Sequence, residues 1–241
     1  MRKSHFITSA VAACALGVPF ILNASVPIGT AIATTTSVTT TPQMLLSKEV
    51  ALTFDDGPYG TSTEAVLAIL KREQVPATFF LIGKNVEKYP ALAKEIAADG
   101  HVIGNHTYDH TKHLATMSLR DVRTELSMAD AAIASTTGLH TKLFRPPYGR
   151  ITKRLRRELV REGYAVFLWN VDPRDWDAAS TTSQDIIDRI AAQEKDKMII
   201  LLHDGRDTKV GYPRDNMINA LPIVIEMLKR EGYTFTTVEK M

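Results

Sequence analysis

Two aspartates, Asp55 and Asp56, stand side by side between an apolar run and the pair Gly57-Pro58. Adjacent carboxylates repel unless a cation or a proton comes between them. One of the two can therefore face a metal while the other serves as a base, and a plain Asp-Asp-Gly-Pro turn is the competing reading. His106 and His110 are four residues apart, a spacing that sets two imidazoles on one face of a helix, as in zinc-binding helices. His101, Asp109 and His113 lie nearby and dilute that signal. Together with a carboxylate of the Asp-Asp turn, the two histidines predict a two-histidine, one-carboxylate site with positions left open for water and substrate. Zinc, iron, cobalt and nickel all suit such donors.

Other polar residues could complete a reaction centre. Arg145 opens Arg145-Pro146-Pro147-Tyr148, where two prolines stiffen the backbone, so that the Tyr148 amide could be a fixed donor. A structural salt bridge is the plainer role for Arg145. His203 ends an apolar run, and a strand-end histidine beside carboxylates is a candidate general acid. Its neighbour Asp204 could be its partner or could face solvent. Trp176 could be core or a platform for a sugar ring, as could Tyr59, Tyr148 and Tyr212.

These residues need elements to hold them. Short apolar runs at 50–54, 77–82, 101–104, 143–144, 165–169, 198–202 and 234–238 read as seven buried parallel strands. Helical patterns fall between them, at 63–71, 89–98, 118–133, 153–161 and 183–193, and Pro222 should start or kink the last helix. Gly100, Gly163 and Gly232 suit left-handed helix stops. The alternation predicts an α/β fold with a parallel sheet and leaves open sheet and closed barrel both possible. In either, active sites gather at strand C-termini, which is where the polar groups at 55–56, 105–110, 145–148, 172–176 and 203–204 fall.

Composition excludes other classes. The 241 residues carry a net charge of +2, 44% hydrophobic residues and one cysteine. Global disorder, a disulfide framework and an all-thiolate metal site are ruled out, and near-neutral charge gives no case for nucleic acid. Arg2 and Lys3 precede a mostly apolar stretch from Phe6 to Leu22, and Ala31-Ile32-Ala33 resembles a leader cleavage site. The expected organisation is a signal peptide at 1–33, a Thr-rich linker at 34–47 and a catalytic domain at 48–241. Export to the cell envelope or beyond follows, with no stable membrane insertion after cleavage. An uncleaved anchor, or lipidation at Cys14, is the alternative. Removing Arg2 and Lys3 from the 29 basic residues leaves 27 against 27 acidic ones. The basic stretch 153–161 reads as a solvated helix face.

Five motifs in order carry a family resemblance: Thr-Phe-Asp-Asp-Gly-Pro at 53–58, His-Thr-x-x-His at 106–110, Arg-Pro-Pro-Tyr at 145–148, Asp-x-x-Asp-Trp at 172–176 and Leu-x-His at 201–203. The set resembles the polysaccharide deacetylases, carbohydrate esterase family four, from about Lys48 to the end. That resemblance implies a distorted (β/α)7 TIM-like barrel of parallel strands and metal-assisted hydrolysis of an acetamido group. It implies Asp56, His106 and His110 as metal ligands, zinc first, with cobalt, nickel or iron as alternatives. It implies Asp55 as base, His203 as acid, Arg145 orienting Asp55 and Asp175 tuning His203. The Tyr148 amide would meet the oxyanion, and Trp176 and Leu201 would line the acetyl pocket. The expected partner is an N-acetylated polysaccharide, peptidoglycan first and chitin oligosaccharides next, taken by a monomer. Acetylxylan as an ester substrate, a non-catalytic glycan-binding barrel, an iron oxygenase and a cytoplasmic hydrolase of cyclic amides are the rival readings.

Overall fold

The computed structural model describes residues 48–205 and 214–241. The expected leader and linker, and Tyr212, lie outside them. The elements run β1 (Glu49–Asp55), α1 (Gly60–Glu73), β2 (Thr78–Leu81), α2 (Gly83–Lys88), α3 (Pro90–Ala98), β3 (Val102–Asn105), α4 (Leu119–Thr137), β4 (Leu143–Phe144), α5 (Lys153–Arg161), β5 (Ala165–Val166), α6 (Ser183–Ala192), β6 (Lys197–His203), α7 (Asp215–Arg230) and β7 (Thr234–Thr236).

All strand pairs are parallel, in the order β5-β4-β3-β2-β1-β6. β7 pairs with the first residues of β1, Glu49 to Ala51, on the strand whose last residues, Thr53 to Asp55, pair with β2. Beyond β5 the chain bridges Val171 to Ile200 of β6, which brings the path round toward closure. The curled sheet with helices packed on it is the (β/α)7 barrel type that the resemblance implied.

The period of two along β1 explains how a polar floor sits inside an apolar protein. Val50, Leu52 and Phe54 join the main core with Val66 and Leu70 of α1 and Leu221, Val224 and Ile225 of α7. Alternate residues turn the other way: Ala51 packs with Phe80 and Val238, while Thr53 and Asp55 meet Arg145. A second cluster of Leu114, Val122, Leu126, Phe144, Leu155, Leu159 and Val166 seats α4 and α5. Burying each such side chain favours folding by about 1.5–3 kcal/mol.

Local signals account for the helix ends. Ser118 accepts a hydrogen bond from the Asp121 amide at the start of α4, and Thr182 with Asp185 forms a complete capping box on α6. Gly100, Gly163 and Gly232 take φ of 81°, 85° and 80° as expected. Two expectations are corrected. The fifth strand is only Ala165–Val166, because the chain then leaves β4 to reach β6. α7 continues through Pro222 rather than starting there, since flanking Leu221, Val224 and Ile225 are buried and tertiary packing outweighs the lost hydrogen bond.

Candidate active site

Strand register sets the first two groups side by side. Asp55 ends β1 opposite His203, which ends β6. Asp55 is buried, and its Oδ1 accepts from Arg145 Nη1 at 2.8 Å. The same nitrogen donates to Thr53 Oγ1 at 2.8 Å, and Nη2 donates to the Leu168 carbonyl at 3.3 Å. The Arg145 guanidinium is fully buried, with Cζ 4.2 Å from the Phe80 ring centroid. Burial pushes its pKa down, and the Asp55 carboxylate pulls it back. Asp55 Oδ2, the other oxygen, lies 3.7 Å from His106 Nε2.

Asp56 takes φ +70°, a turn conformation that points its side chain away from the strand's alternation. Its carbonyl accepts from Asn85 Nδ2 at 2.7 Å. Gly205 packs so closely on the Asp56 carbonyl that no Cβ would fit there. Asp56 Oδ1 is 3.2 Å from His110 Nε2 and 3.5 Å from His106 Nε2, and it has no properly aligned hydrogen-bond donor among the described residues. Burial raises its pKa, but the imidazoles of His110, His106 and His203 more than offset that and hold the carboxyl below the usual carboxylate range.

His106 and His110 meet Asp56, though not from a helix. After β3, Asn105 Oδ1 accepts the Thr107 amide at 2.8 Å and Thr107 Oγ1 accepts the His110 amide at 3.1 Å. Thr107 and His110 have φ of 68° and 50°, which no helix permits. Glu125 of α4 accepts the Tyr108 and Asp109 amides. The four-residue spacing therefore works through a tight loop, because side-chain acceptors compete for the amides a helix would need.

The residues present fit a cation. One donor atom each from Asp56, His106 and His110 lies within 4.8 Å of the others, and all three residues are buried. The Arg145 carbonyl, an acceptor, lies 2.7 Å from His106 Nδ1. That places the imidazole proton on Nδ1 and leaves the Nε2 lone pair facing Asp56, the tautomer a metal-ligating histidine takes.

His203 has a different partner from the one its sequence neighbour offered. Its Nδ1 is 2.8 Å from Asp175 Oδ1, and its own amide donates to Asp175 Oδ2 at 2.8 Å. Burial works against the imidazolium, Asp175 overrides it with help from Asp56, and Arg214 opposes, for a net upward pKa. Asp204 neither pairs with His203 nor faces solvent. It is fully buried, accepts from Thr63 Oγ1 at 2.6 Å through Oδ2, and packs against Gly57. Burial pushes its carboxyl up to about 7, against the pull of Thr63.

These groups line one cleft of about 530 Å³, formed by Asp55, Asp56, His106, His110, Tyr148, Trp169, Asp172, Trp176, Leu201, His203 and Arg214. Tyr148 and Trp176 are 47% and 44% exposed, so both are rim groups rather than core. The Tyr148 ring lies 4.8 Å from the His110 ring. Arg214 was not legible in the sequence. Its Nε donates to the Gly205 carbonyl at 2.8 Å, and its Nη2 lies 3.9 Å from Asp56 Oδ2. Tyr59 packs on Tyr89 and is absent from the cleft lining. Among the described residues six non-glycine residues have positive φ, and five of them, Asp56, Thr107, His110, Tyr148 and Arg174, lie in the turns that follow the strands around this cleft. Strain of this kind persists where surrounding contacts over-determine it, and it clusters at functional sites.

Comparison with known proteins agrees with the geometry. A family model described as polysaccharide deacetylase matches residues 44–167. A peptidoglycan-N-acetylglucosamine deacetylase of Bacillus cereus is 36% identical over 193 residues, covering 80% of this chain and 68% of that protein. A chitooligosaccharide deacetylase of Azorhizobium caulinodans is 34% identical, covering 76% of this chain and 90% of that protein. Of a peptidoglycan-N-acetylmuramic acid deacetylase of Bacillus subtilis, 33% identical, the chain spans only 38%. The crystal structure of the Bc1960 peptidoglycan N-acetylglucosamine deacetylase superposes with a TM-score of 0.75 at 34% identity, covering 81% of this chain and 88% of that one. On the motif residues, the barrel that gathers them and these matches, the chain belongs to the polysaccharide deacetylase family.

Proposed function

We propose that this protein is an exported, metal-dependent hydrolase that removes N-acetyl groups from N-acetylglucosamine-type residues of a cell-envelope polysaccharide, with peptidoglycan as the first substrate. Polysaccharide deacetylation is the chemistry its family carries. The observation that supports the reading here is one cleft holding three buried potential ligands, Asp56, His106 and His110, beside two separately oriented proton carriers, Asp55 and His203.

Asp56, His106 and His110 would hold the cation, zinc first. A divalent cation bound there polarises a carbonyl and lowers the pKa of water. Asp55 has one oxygen fixed by Arg145, so Oδ2 is the atom that takes the proton of the attacking water. The new C–O bond makes a tetrahedral centre whose oxygen accepts from the Tyr148 amide, held by two preceding prolines and by a left-handed backbone at φ 58°. Asp175 occupies His203 Nδ1, which leaves Nε2–H to protonate the amine as the C–N bond breaks. An amide anion leaves very poorly, so this proton is required. Acetate and a free amino sugar result. Leu201 and Trp176 border the space for the acetyl methyl.

The signal peptide at 1–33, linker at 34–47 and catalytic domain at 48–241 belong to the same proposal. Among the described residues no helix is long and apolar enough to cross a membrane. The test is acetate release by the mature protein from peptidoglycan, chito-oligosaccharides and acetylxylan, with metal content measured on the same sample. Release from an N-acetylated glycan, abolished by chelation and restored by added divalent metal, is expected. Full activity in metal-free protein would remove the mechanism, and no release from any substrate would favour a glycan-binding barrel.

A further inference from the structure

We propose that Arg150 and Arg174 read negative charge on the units next to the reacting sugar, so that the preferred substrate is a carboxylate-bearing amino-sugar polymer rather than a neutral one. This deepens the deacetylase reading and rests on it.

The two rim aromatics of the cleft, Tyr148 and Trp176, each carry a guanidinium. Arg150 Cζ lies 5.8 Å from the Tyr148 ring centroid and Arg174 Cζ lies 5.1 Å from that of Trp176. Both arginines are exposed. Stacking holds a guanidinium plane in place while leaving its N–H edge open, and that edge matches a carboxylate with two parallel hydrogen bonds. Arg174 is held further by its backbone, with φ +61° and its amide donating to Asp172 Oδ1 at 2.8 Å. Its one ion pair among the described residues, Nη2 to Asp177 Oδ2 at 3.5 Å, is exposed and exchangeable. Arg150 forms no ion pair among the described residues.

The surroundings point the same way. The cleft itself is lined by Asp55, Asp56 and Asp172, with Arg214 beside Asp56. The sequence that follows Tyr148 is the opposite. Residues 150–161 hold six cations and one anion, whereas residues 48–241 as a whole carry 27 of each. Lys153, Arg154, Arg156 and Arg157 are exposed and form no ion pair among the described residues. A neutral polymer gains nothing from such a rim. A polymer whose alternate units carry carboxylates gains steering toward the cleft and an anchor beside each aromatic.

The test uses the metal-loaded mature protein and three substrates of matched length: glycan fragments with free carboxylates, the same fragments after methyl esterification, and chito-oligosaccharide. Initial rates of acetate release are measured for the wild type, R150A, R174A and the double variant, with R150K and R174K as conservative controls. Affinity electrophoresis on the same three glycans reports binding without turnover. The expected result is a wild-type preference for the free carboxylate that fades with salt. Each alanine variant should lose roughly fivefold on that substrate, in KM rather than kcat, with chito-oligosaccharide unchanged and the lysine variants partly restored. Equal use and equal binding of all three glycans by the wild type would overturn the proposal, as would a double variant that loses on all three alike or on none. Absence of acetate from every substrate would instead defeat the deacetylase reading, and electrophoresis would still decide the charge preference.

Discussion

Asp55 and Arg145 form the most demanding contact in the protein, and breaking it has a cost that can be worked out. The guanidinium is 0% exposed and the Asp55 residue 3% exposed, with 2.8 Å between Nη1 and Oδ1. Arg145 Nε has no hydrogen-bond partner among the described residues, so part of its desolvation is already uncompensated. In Asp55→Ala the charge keeps only Thr53 Oγ1 and the Leu168 carbonyl. Removing one partner of a buried pair costs about 3–5 kcal/mol, because the survivor is left charged in a low-dielectric site. For a domain of this size that is a fall in Tm of about 6–20 °C. In Asp55→Ala/Arg145→Met the pair is replaced rather than broken, and Phe80 and Trp169 already wall the guanidinium with apolar surface. The double variant should therefore recover most of the lost stability while remaining inactive, since the proposed base is gone. Urea unfolding of metal-free protein measures the four corners of the cycle, and acetate release measures turnover. An Asp55→Ala cost below about 1 kcal/mol, or a double variant as unstable as the worse single one, would refute the idea that burial of charge makes this contact dear.

Two further perturbations separate the proton carriers. Asp175→Asn removes the main influence that raises the His203 pKa, so the alkaline limb of the pH–kcat/KM profile should move to lower pH. A group with a raised folded pKa lends stability below its unfolded value near 6.5 and loses it as pH rises through the folded value. The stability gap between wild type and Asp175→Asn should thus be widest near pH 5.5 and narrow above neutrality, and a gap that widens with pH would contradict the assignment. Asp204 bears on alkaline stability with the same sign, because burial raises its carboxyl from 3.8 to about 7. The folded state holds its proton longer, so this group's contribution falls as pH climbs from about 4 to 7. Asp204→Asn, which keeps an acceptor for Thr63, should be little different from wild type near pH 4 and more stable than it above pH 7, as read by thermal melts.

Much of the site could be read directly from residue order, because strand-end polarity is a local signal. Asp55, Asp56, Arg145, Asp175 and His203 each follow an apolar run, and the cleft contains or touches every one of them. What failed was inference from spacing alone. His106 and His110 matched a helical period, yet Asn105 and Thr107 capture the amides a helix would use. Asp204, adjacent to His203, was open to reading as its partner or as a solvent-facing group. The strand's period of two sends neighbouring side chains to opposite sides, so His203 meets Asp175 from another loop while Asp204 turns to Thr63 of α1. Arg214 gave no signal at all, since its contacts at Gly205 and Asp56 exist only once β6 and β1 are paired.

The positive-φ residues connect these successes and failures. Asp56, Thr107, His110, Tyr148 and Arg174 are not glycines, and each adopts a backbone that a glycine would adopt more cheaply. Each costs of order 1–3 kcal/mol. A chain under selection for stability alone would replace them, whereas a chain that needs a carboxylate, an imidazole, a rim aromatic or a guanidinium at that point of the turn has no cheaper residue to use. Asp56 shows the trade most plainly. Its φ of +70° breaks the alternation of β1 so that two consecutive carboxylates serve one cleft: Asp55 toward Arg145, Asp56 toward the two histidines. Ordinary strand geometry would have sent the second carboxylate into the apolar layer beside Phe54, where no partner exists for it. The strained turn is thus the physical reason that adjacent aspartates, which repel each other in sequence, can hold separate roles in space.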